Sequence, residues 1–217
     1  MKLYDYYRST ASYRVRIALN LKQLTHDTIP VDLVRQGGEQ HTPEYKKINP
    51  QGLVPALEID TNTPPLTQSL AILEYLEEQY PTPSLLPNDA RARAHVRSLA
   101  LLIATDMHPL NNLRVLKQLR TQFNASEDEV NAWYHHWLAL GFNAFEKKLT
   151  HLPREESKFC YGDHVSMADI CLIPQVYNAH RFEFSLAAYP IIQSITDACL
   201  TIPAFQDAAP SVNDGIL

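Results

Sequence analysis

The sequence predicts a small α/β domain of order β-α-β-α-β-β-α followed by an all-helical domain. Residues 2–80 change repeatedly between short alternating apolar runs and runs with helical spacing, the pattern of strands and helices sharing one sheet. A proline-rich stretch, P-T-P-S-L-L-P-N-D with Pro81, Pro83 and Pro87, then breaks the chain. Beyond it the spacing is helical and the helix starts carry capping boxes. The division expected is residues 1–81, a linker at 82–88 and a helical domain over 89–217.

Each element has its own signal. Lys2–Tyr6 alternates as a strand, and Arg8-Ser9-Thr10-Ala11-Ser12 reads as a polar turn in which Ser12 caps a helix over Tyr13–Leu21. Thr25–Leu33 is a second strand, Gly37-Gly38 a break, and Thr42-Pro43-Glu44-Tyr45 the opening of a short helix. A strand begins near Pro55, turns at Thr61-Asn62-Thr63, returns, and a helix opens at Ser69. In the second half a helical run from Ala90 to about Ser126 is interrupted at His108-Pro109, where proline removes a donor and bends the chain. Ser126–Leu149 is expected to bury Trp133, Trp137, Leu140 and Phe145, and Ser166-Met167-Ala168-Asp169 starts a helix to about Ala179 that is apolar almost all round. Pro190 and Pro203 punctuate the last helical segment.

Composition excludes several function classes. Hydrophobic residues make up 45% and charged residues 20% of 217, as in a soluble globular protein, and the net charge of −5 argues against nucleic acid. The first residues lack a signal-peptide core and no apolar run approaches the ~18 residues of a membrane span, so a cytoplasmic protein is expected. Cys160, Cys171 and Cys199 are an odd number without C-x-x-C, the pattern of reduced thiols. His135-His136 lacks metal-ligand spacing, so no metal is expected. The six glycines form neither a phosphate-cradling loop nor a dinucleotide fingerprint.

Two features of the stretch from Asn49 to Tyr80 suit a peptide-like ligand. Pro55 at the start of a strand, where its missing N–H does least damage, admits a cis bond and leaves the amide and carbonyl of Val54 outside the ladder, where an extended peptide pairs. Gln68-Ser69 stands at a helix start, whose N–H groups and dipole attract a carboxylate. Alone, each is more often a turn or a cap.

The whole chain resembles the glutathione transferases, and most closely their zeta class, in R-S-T-A-S-Y-R-V-R-I-A-L, N-P-Q-G-L-V-P-A-L, L-T-Q-S-L-A-I-L-E-Y-L-E-E, P-L-N-N-L-R-V-L-K-Q and S-M-A-D-I-C-L-I-P-Q-V-Y-N-A-H-R-F. The resemblance implies a thioredoxin-like first domain that binds glutathione, a helical second domain, a homodimer, and isomerisation of a maleyl keto acid in aromatic catabolism. It implies Ser9 and Thr10 as the catalytic hydroxyls within a contact run that includes Ala11, Ser12, Tyr13 and Arg14. It implies Val54 as the clamp on the cysteinyl unit, Gln68 and Ser69 as the grip on the γ-glutamyl end, and Gln40, His108, Asn112, Leu113 and Arg114 as further glutathione contacts. His108 stands where the family usually has glutamine, and Ala11 where it often has cysteine, so a mechanism needing a protein thiol there is excluded.

The substrate so implied is a dicarboxylate, which calls for cations inside an acidic protein: Arg8, Arg14, Arg16 and Arg181 are candidates, Arg8 and Arg181 as the substrate-binding pair and Arg181 as a buried cation. Arg14 and Arg16 have a plainer reading as partners of surface acids. Ser9 as a nucleophile needs a base and an orienting third group, which nothing nearby supplies, and alone it reads as a turn residue. Asp169 reads as the capping partner of Ser166. The rival readings are a maleylpyruvate isomerase, a broader transferase or α-halo-acid dehalogenase, and a non-catalytic interaction module.

Overall fold

The computed structural model describes residues 1–152 and 157–211. Its packing divides the chain into two units, Met1–Ser84 with the chain from Ile202 onward, and Leu85–Thr201. Residues 202–211, expected in the helical domain, thus group with the first unit.

In the first unit β1 (Lys2–Asp5) is central to a four-stranded sheet of order β2-β1-β3-β4. Strand β2 (Asp27–Pro30) runs parallel to β1 with Leu3 opposite Thr28, β3 (Ala56–Glu58) is antiparallel with Leu3 opposite Leu57, and β4 (Leu66–Thr67) follows β3 with Leu66 opposite Leu57. Leu3, Ala56 and Leu57 are fully buried, as an inner strand pair requires. Helix α1 (Thr10–Leu21) packs on α3 (Ser69–Gln79), and α2 (Pro43–Ile48) is capped by Thr42 with Pro43 at its first position. The expected helix start is corrected at α1. Ser9, in extended backbone, accepts from the Ser12 amide at 3.2 Å and caps the helix, which begins at Thr10; Ser12 lies fully buried in its first turn.

The far ends of these helices are tied by a buried ammonium. Lys22 Nζ donates to Glu77 Oε2 at 3.0 Å and to the carbonyls of Tyr80 and Pro83, while Ser84 Oγ donates to Glu77 Oε1 at 2.7 Å. A buried cation is tolerated only with its donors matched, and here three acceptors meet them. Helix α9 (Pro203–Ala208) lies against α1, taking hydrogen bonds on its backbone carbonyls from Tyr13, Asn20 and Arg16.

The second unit is helical. Helix α4 (Ala90–Leu101), capped by Asp89, runs into a π-helical turn at Leu102–Met107, a 3₁₀ turn at Pro109–Asn111 and then α5 (Leu113–Gln122). The departure from α-helix starts six residues before the expected His108. Gly141 explains the room for it: a Cβ there would run into the Met107 side chain. Helix α6 (Glu127–Thr150) has the expected capping box at Ser126 and Glu129, but its buried stripe is Val130, Tyr134, Leu138, Phe142, Phe145 and Leu149. Leu140 is 55% exposed, and the tryptophans flank the stripe with Trp133 Nε1 donating to the Leu110 carbonyl at 2.9 Å. The Trp133 N–H finds its partner there, off the all-apolar seam. Helix α7 (Met167–Arg181) is buried almost all round, with Asp169 accepting from the Ser166 amide and hydroxyl and from the Cys160 amide; α8 (Pro190–Leu200) follows.

Candidate active site

Helix α1 begins with a hydroxyl that has one role filled and one open. Ser9 Oγ accepts from the Ser12 N–H, which leaves its own proton to donate, beside the first-turn amides of a twelve-residue helix. Thr10 is only 2% exposed, whereas Ser9 is half-buried. Ala11 is half-buried and Tyr13 is buried, its hydroxyl donating to the Phe205 carbonyl at 3.1 Å. Arg8, just before Ser9, is exposed with its guanidinium 5.0 Å from the centre of the Tyr7 ring.

The two helix arginines both differ from the surface reading. Arg14 is 2% exposed and donates Nη1 to Ser69 Oγ at 3.2 Å, so the second turn of α1 and the start of α3 are joined through a buried cation. Arg16 does meet an acid, but a buried one: Nη1 lies 2.8 Å from both oxygens of Asp5, Nη2 donates to the Tyr7 carbonyl and Nε to that of Ala208. A guanidinium so occupied has no edge left for a substrate carboxylate, which removes Arg16 from the candidates.

The loop before β3 completes the first unit's constellation. The Val54–Pro55 bond is cis, and pairing of β3 with β1 starts at Ala56, after Val54. Asn49 organises the loop: its side-chain amide donates to the Leu53 carbonyl at 2.7 Å and its oxygen accepts from the Gln51 amide. Gly52 has φ +62, and a Cβ on it would stand 2.9 Å from the Gln40 carbonyl. Gln68, before α3, is held at φ +69, an unusual backbone region for a side chain-bearing residue and one that clusters at ligand sites; its amide donates to Gln51 Oε1 at 2.8 Å. Gln40 is 6% exposed, and its Oε1 is buried with no partner among the described residues. A buried acceptor in that state can take a donor from a ligand or a water.

The remaining expected contacts belong to the second unit. His108 ends the π-helical turn, Asn112 caps α5 by accepting from the Arg114 amide at 3.1 Å, and Leu113 and Arg114 are exposed. Asn111, not singled out by the sequence, is buried and donates to the Tyr134 carbonyl. Helix α7 runs to Arg181 itself. The arginine is exposed rather than buried, its Nη1 donating to Asn178 at 3.2 Å and its guanidinium 5.9 Å from the Tyr177 and Phe182 rings. Cys160, Cys171 and Cys199 are buried and joined by no disulfide, and burial pushes the Cys199 thiol well up. Among the described residues no three His, Cys, Asp or Glu side chains are grouped to hold a metal, and no helix is long and apolar enough to cross a membrane.

Residues 3–84 match the model of the glutathione S-transferase N-terminal domain. A probable maleylacetoacetate isomerase of Vibrio cholerae is 49% identical over 96% of this chain and 94% of its own length. The chain belongs to the glutathione transferase family, zeta class. Two solved zeta-type structures superpose over nearly the whole chain. The holo structure of a bacterial zeta-class maleylpyruvate isomerase has a TM-score of 0.91 at 46% identity, covering 97% of each chain. A maleylacetoacetate isomerase of Methylobacterium extorquens, solved with malonate and glutathione bound, has a TM-score of 0.91 at 41% identity over 97% of this chain and 96% of its own. The thioredoxin-like sheet followed by helices is therefore the glutathione transferase fold. Sequence reasoning missed the loop bonds of Asn49 and Gln51 and the burial of Arg14; the N-P-Q-G run was the one local signal, since asparagine before such a turn commonly bonds its own loop.

Proposed function

We propose that this protein is a glutathione-dependent cis–trans isomerase that converts maleylacetoacetate to fumarylacetoacetate. The observation that carries the reading is the buried Arg14–Ser69 contact, which sets a cation and a hydroxyl at the start of α3 within the same unit as the donor Ser9. The residues present fit the tripeptide. Ser69 Oγ accepts from Arg14 and keeps its proton for a carboxylate, where the α3 amides and dipole add to the cation. Val54 offers its amide and carbonyl to the cysteinyl unit, and the orphaned Gln40 Oε1 suits a ligand N–H.

Glutathione, when bound, supplies a thiolate that adds to the cis double bond, permits rotation and leaves. The chain's part is to favour ionisation and to aim. A free thiol near pKa ~8.5 is only a few per cent ionised at neutral pH. Donation by Ser9 Oγ is worth about 1.5–3 kcal/mol to a charged acceptor, and the start of α1 adds about 0.3–1 kcal/mol. At about 1.36 kcal/mol per unit the pKa falls by one to three units, with Thr10 secondary and Ala11 outside the chemistry. Arg8 and Arg181 hold the substrate carboxylates, His108, Asn112, Leu113 and Arg114 make further glutathione contacts, and the protein works as a cytoplasmic homodimer; a monomeric mass on sedimentation would remove that last assignment.

A second reading has support of similar weight, because the maleylpyruvate isomerase is 46% identical over the same span. The test is kcat/KM for maleylacetoacetate and maleylpyruvate at saturating glutathione. Preference for the longer substrate supports the proposal, and preference for maleylpyruvate replaces it with the second reading.

A further inference from the structure

Two donors from one helix converge on a single carbonyl beside the proposed clamp. Tyr45 Oη donates to the Leu53 carbonyl at 2.7 Å, and Asn49 Nδ2 donates to the same oxygen at 2.7 Å. A carbonyl oxygen has two lone pairs, so both are filled. Tyr45 and Asn49 are four residues apart, on one face of α2 and its C-cap, which is why both reach one atom. The pair is firmly seated. Tyr45 is 7% exposed, Asn49 2%, and the Asn49 amide closes the helix on the Tyr45 carbonyl at 2.9 Å. Burial raises the Tyr45 phenol well above its ordinary range, so it remains a donor at any working pH.

The geometry of a peptide gives that pin a consequence. The Leu53–Val54 bond is trans, since among the described residues the cis bonds are those before Pro55 and Pro83. Across a trans peptide the carbonyl and the next N–H point in opposite directions. Holding the Leu53 oxygen on both lone pairs therefore fixes the direction of the Val54 N–H, away from Tyr45 and Asn49. The Val54 side chain cannot turn the other way, because it is buried in a cluster with Val31 and Tyr45. Gly52 holds the turn from the other side, where the Gln40 carbonyl leaves no space for a Cβ.

We propose that Tyr45 and Asn49 are positioning residues: by filling both acceptor sites of the Leu53 carbonyl they aim the Val54 N–H at the cysteinyl carbonyl of glutathione. The proposal rests on the glutathione reading above, and its test separates the two. γ-Glutamylcysteinamide and γ-glutamylcysteamine differ only in the carboxamide, so the ratio of their affinities by calorimetry reads the contacts of that carboxamide, and its dependence on Tyr45 and Asn49 reads the Val54 N–H. The unsubstituted protein is expected to favour the carboxamide by about three- to tenfold, the range of one net hydrogen bond. Tyr45→Phe, which keeps the ring, is expected to bring the ratio towards one while holding its affinity for γ-glutamylcysteamine. Asn49→Asp, which keeps the acceptor for Gln51 and removes the donor, is expected to do the same, and if it fails to fold Tyr45→Phe decides alone. No preference in the unsubstituted protein would remove the Val54 clamp itself. A preference that survives in Tyr45→Phe, or an equal loss for both ligands, would overturn the positioning role and leave the clamp standing.

Discussion

Ser9 carries two jobs on one oxygen, and substitutions separate them. Its lone pair caps α1 and its proton is assigned to the bound thiolate. Ser9→Ala loses both, so it is expected to cost about 0.5–2 kcal/mol of stability from the cap and to raise the pKa of bound glutathione. Ser9→Asp keeps a capping oxygen but has no proton to give at neutral pH, so it should hold the melting temperature and still lose the thiolate absorbance. Thiolate absorbance intact in Ser9→Asp would show that the helix start, not the hydroxyl, does the ionising. Arg14 is the residue of the site whose role was least legible. A helix arginine reads as solvent-facing, and nothing within a helical turn of it signals a partner at Ser69, 55 positions on. Arg14→Met should weaken glutathione binding at least tenfold in calorimetry, since a charged partner to a carboxylate is worth about 1.5–3 kcal/mol. An unchanged affinity would place the γ-glutamyl carboxylate elsewhere.

At the scale of elements, the π-helical turn depends on a bare α-carbon. Gly141→Ala drives a methyl into Met107, and overpacking of this kind costs about 1–3 kcal/mol. Met107→Ala alone leaves a cavity, but beside Gly141→Ala the two changes relieve one another. Thermal melts should therefore show the double variant more stable than the sum of the single losses predicts. Strict additivity would mean that Met107 moves aside freely. The strands, the start of α3 at Ser69 and the boxes at Ser126 and Ser166 were legible in the sequence, because each rests on residues no more than four apart: alternation for the strands, a box three residues wide for the caps. The start of α1 was not: Ser9 and Ser12 are both good caps, and the choice falls to which one lies outside the packed face. The stripe of α6 was misread for a similar reason. Size drew attention to Trp133, Trp137 and Leu140, whereas the seam follows Val130, Tyr134, Leu138 and Phe142 at fourfold spacing. At the candidate site, the cis bond before Pro55 and the helix start at Ser69 were readable from local chemistry. Gln40 came through the family resemblance, and its orphaned oxygen, like the second donor on the Leu53 carbonyl, exists only once the chain is folded.

On the scale of the whole molecule, α9 supports α1. Tyr13, Arg16 and Asn20 on α1 all donate to carbonyls of α9, so the helix that Ser9 caps is backed by residues beyond Ile202. Truncation after Thr201 should lower the melting temperature of the first unit by more than about 4 °C, the shift of a single kcal/mol in a small domain, and an unchanged melt would reduce α9 to decoration. The central claim is that glutathione serves as a cofactor and the reaction is isomerisation. The most direct measurement is turnover of maleylacetoacetate by the purified protein with glutathione at one-hundredth of the substrate concentration, following both fumarylacetoacetate and free thiol. The account predicts many turnovers per glutathione, no loss of thiol, no reaction without it, and inhibition by S-methylglutathione. Product formed without glutathione, or thiol consumed mole for mole as a conjugate, would contradict it.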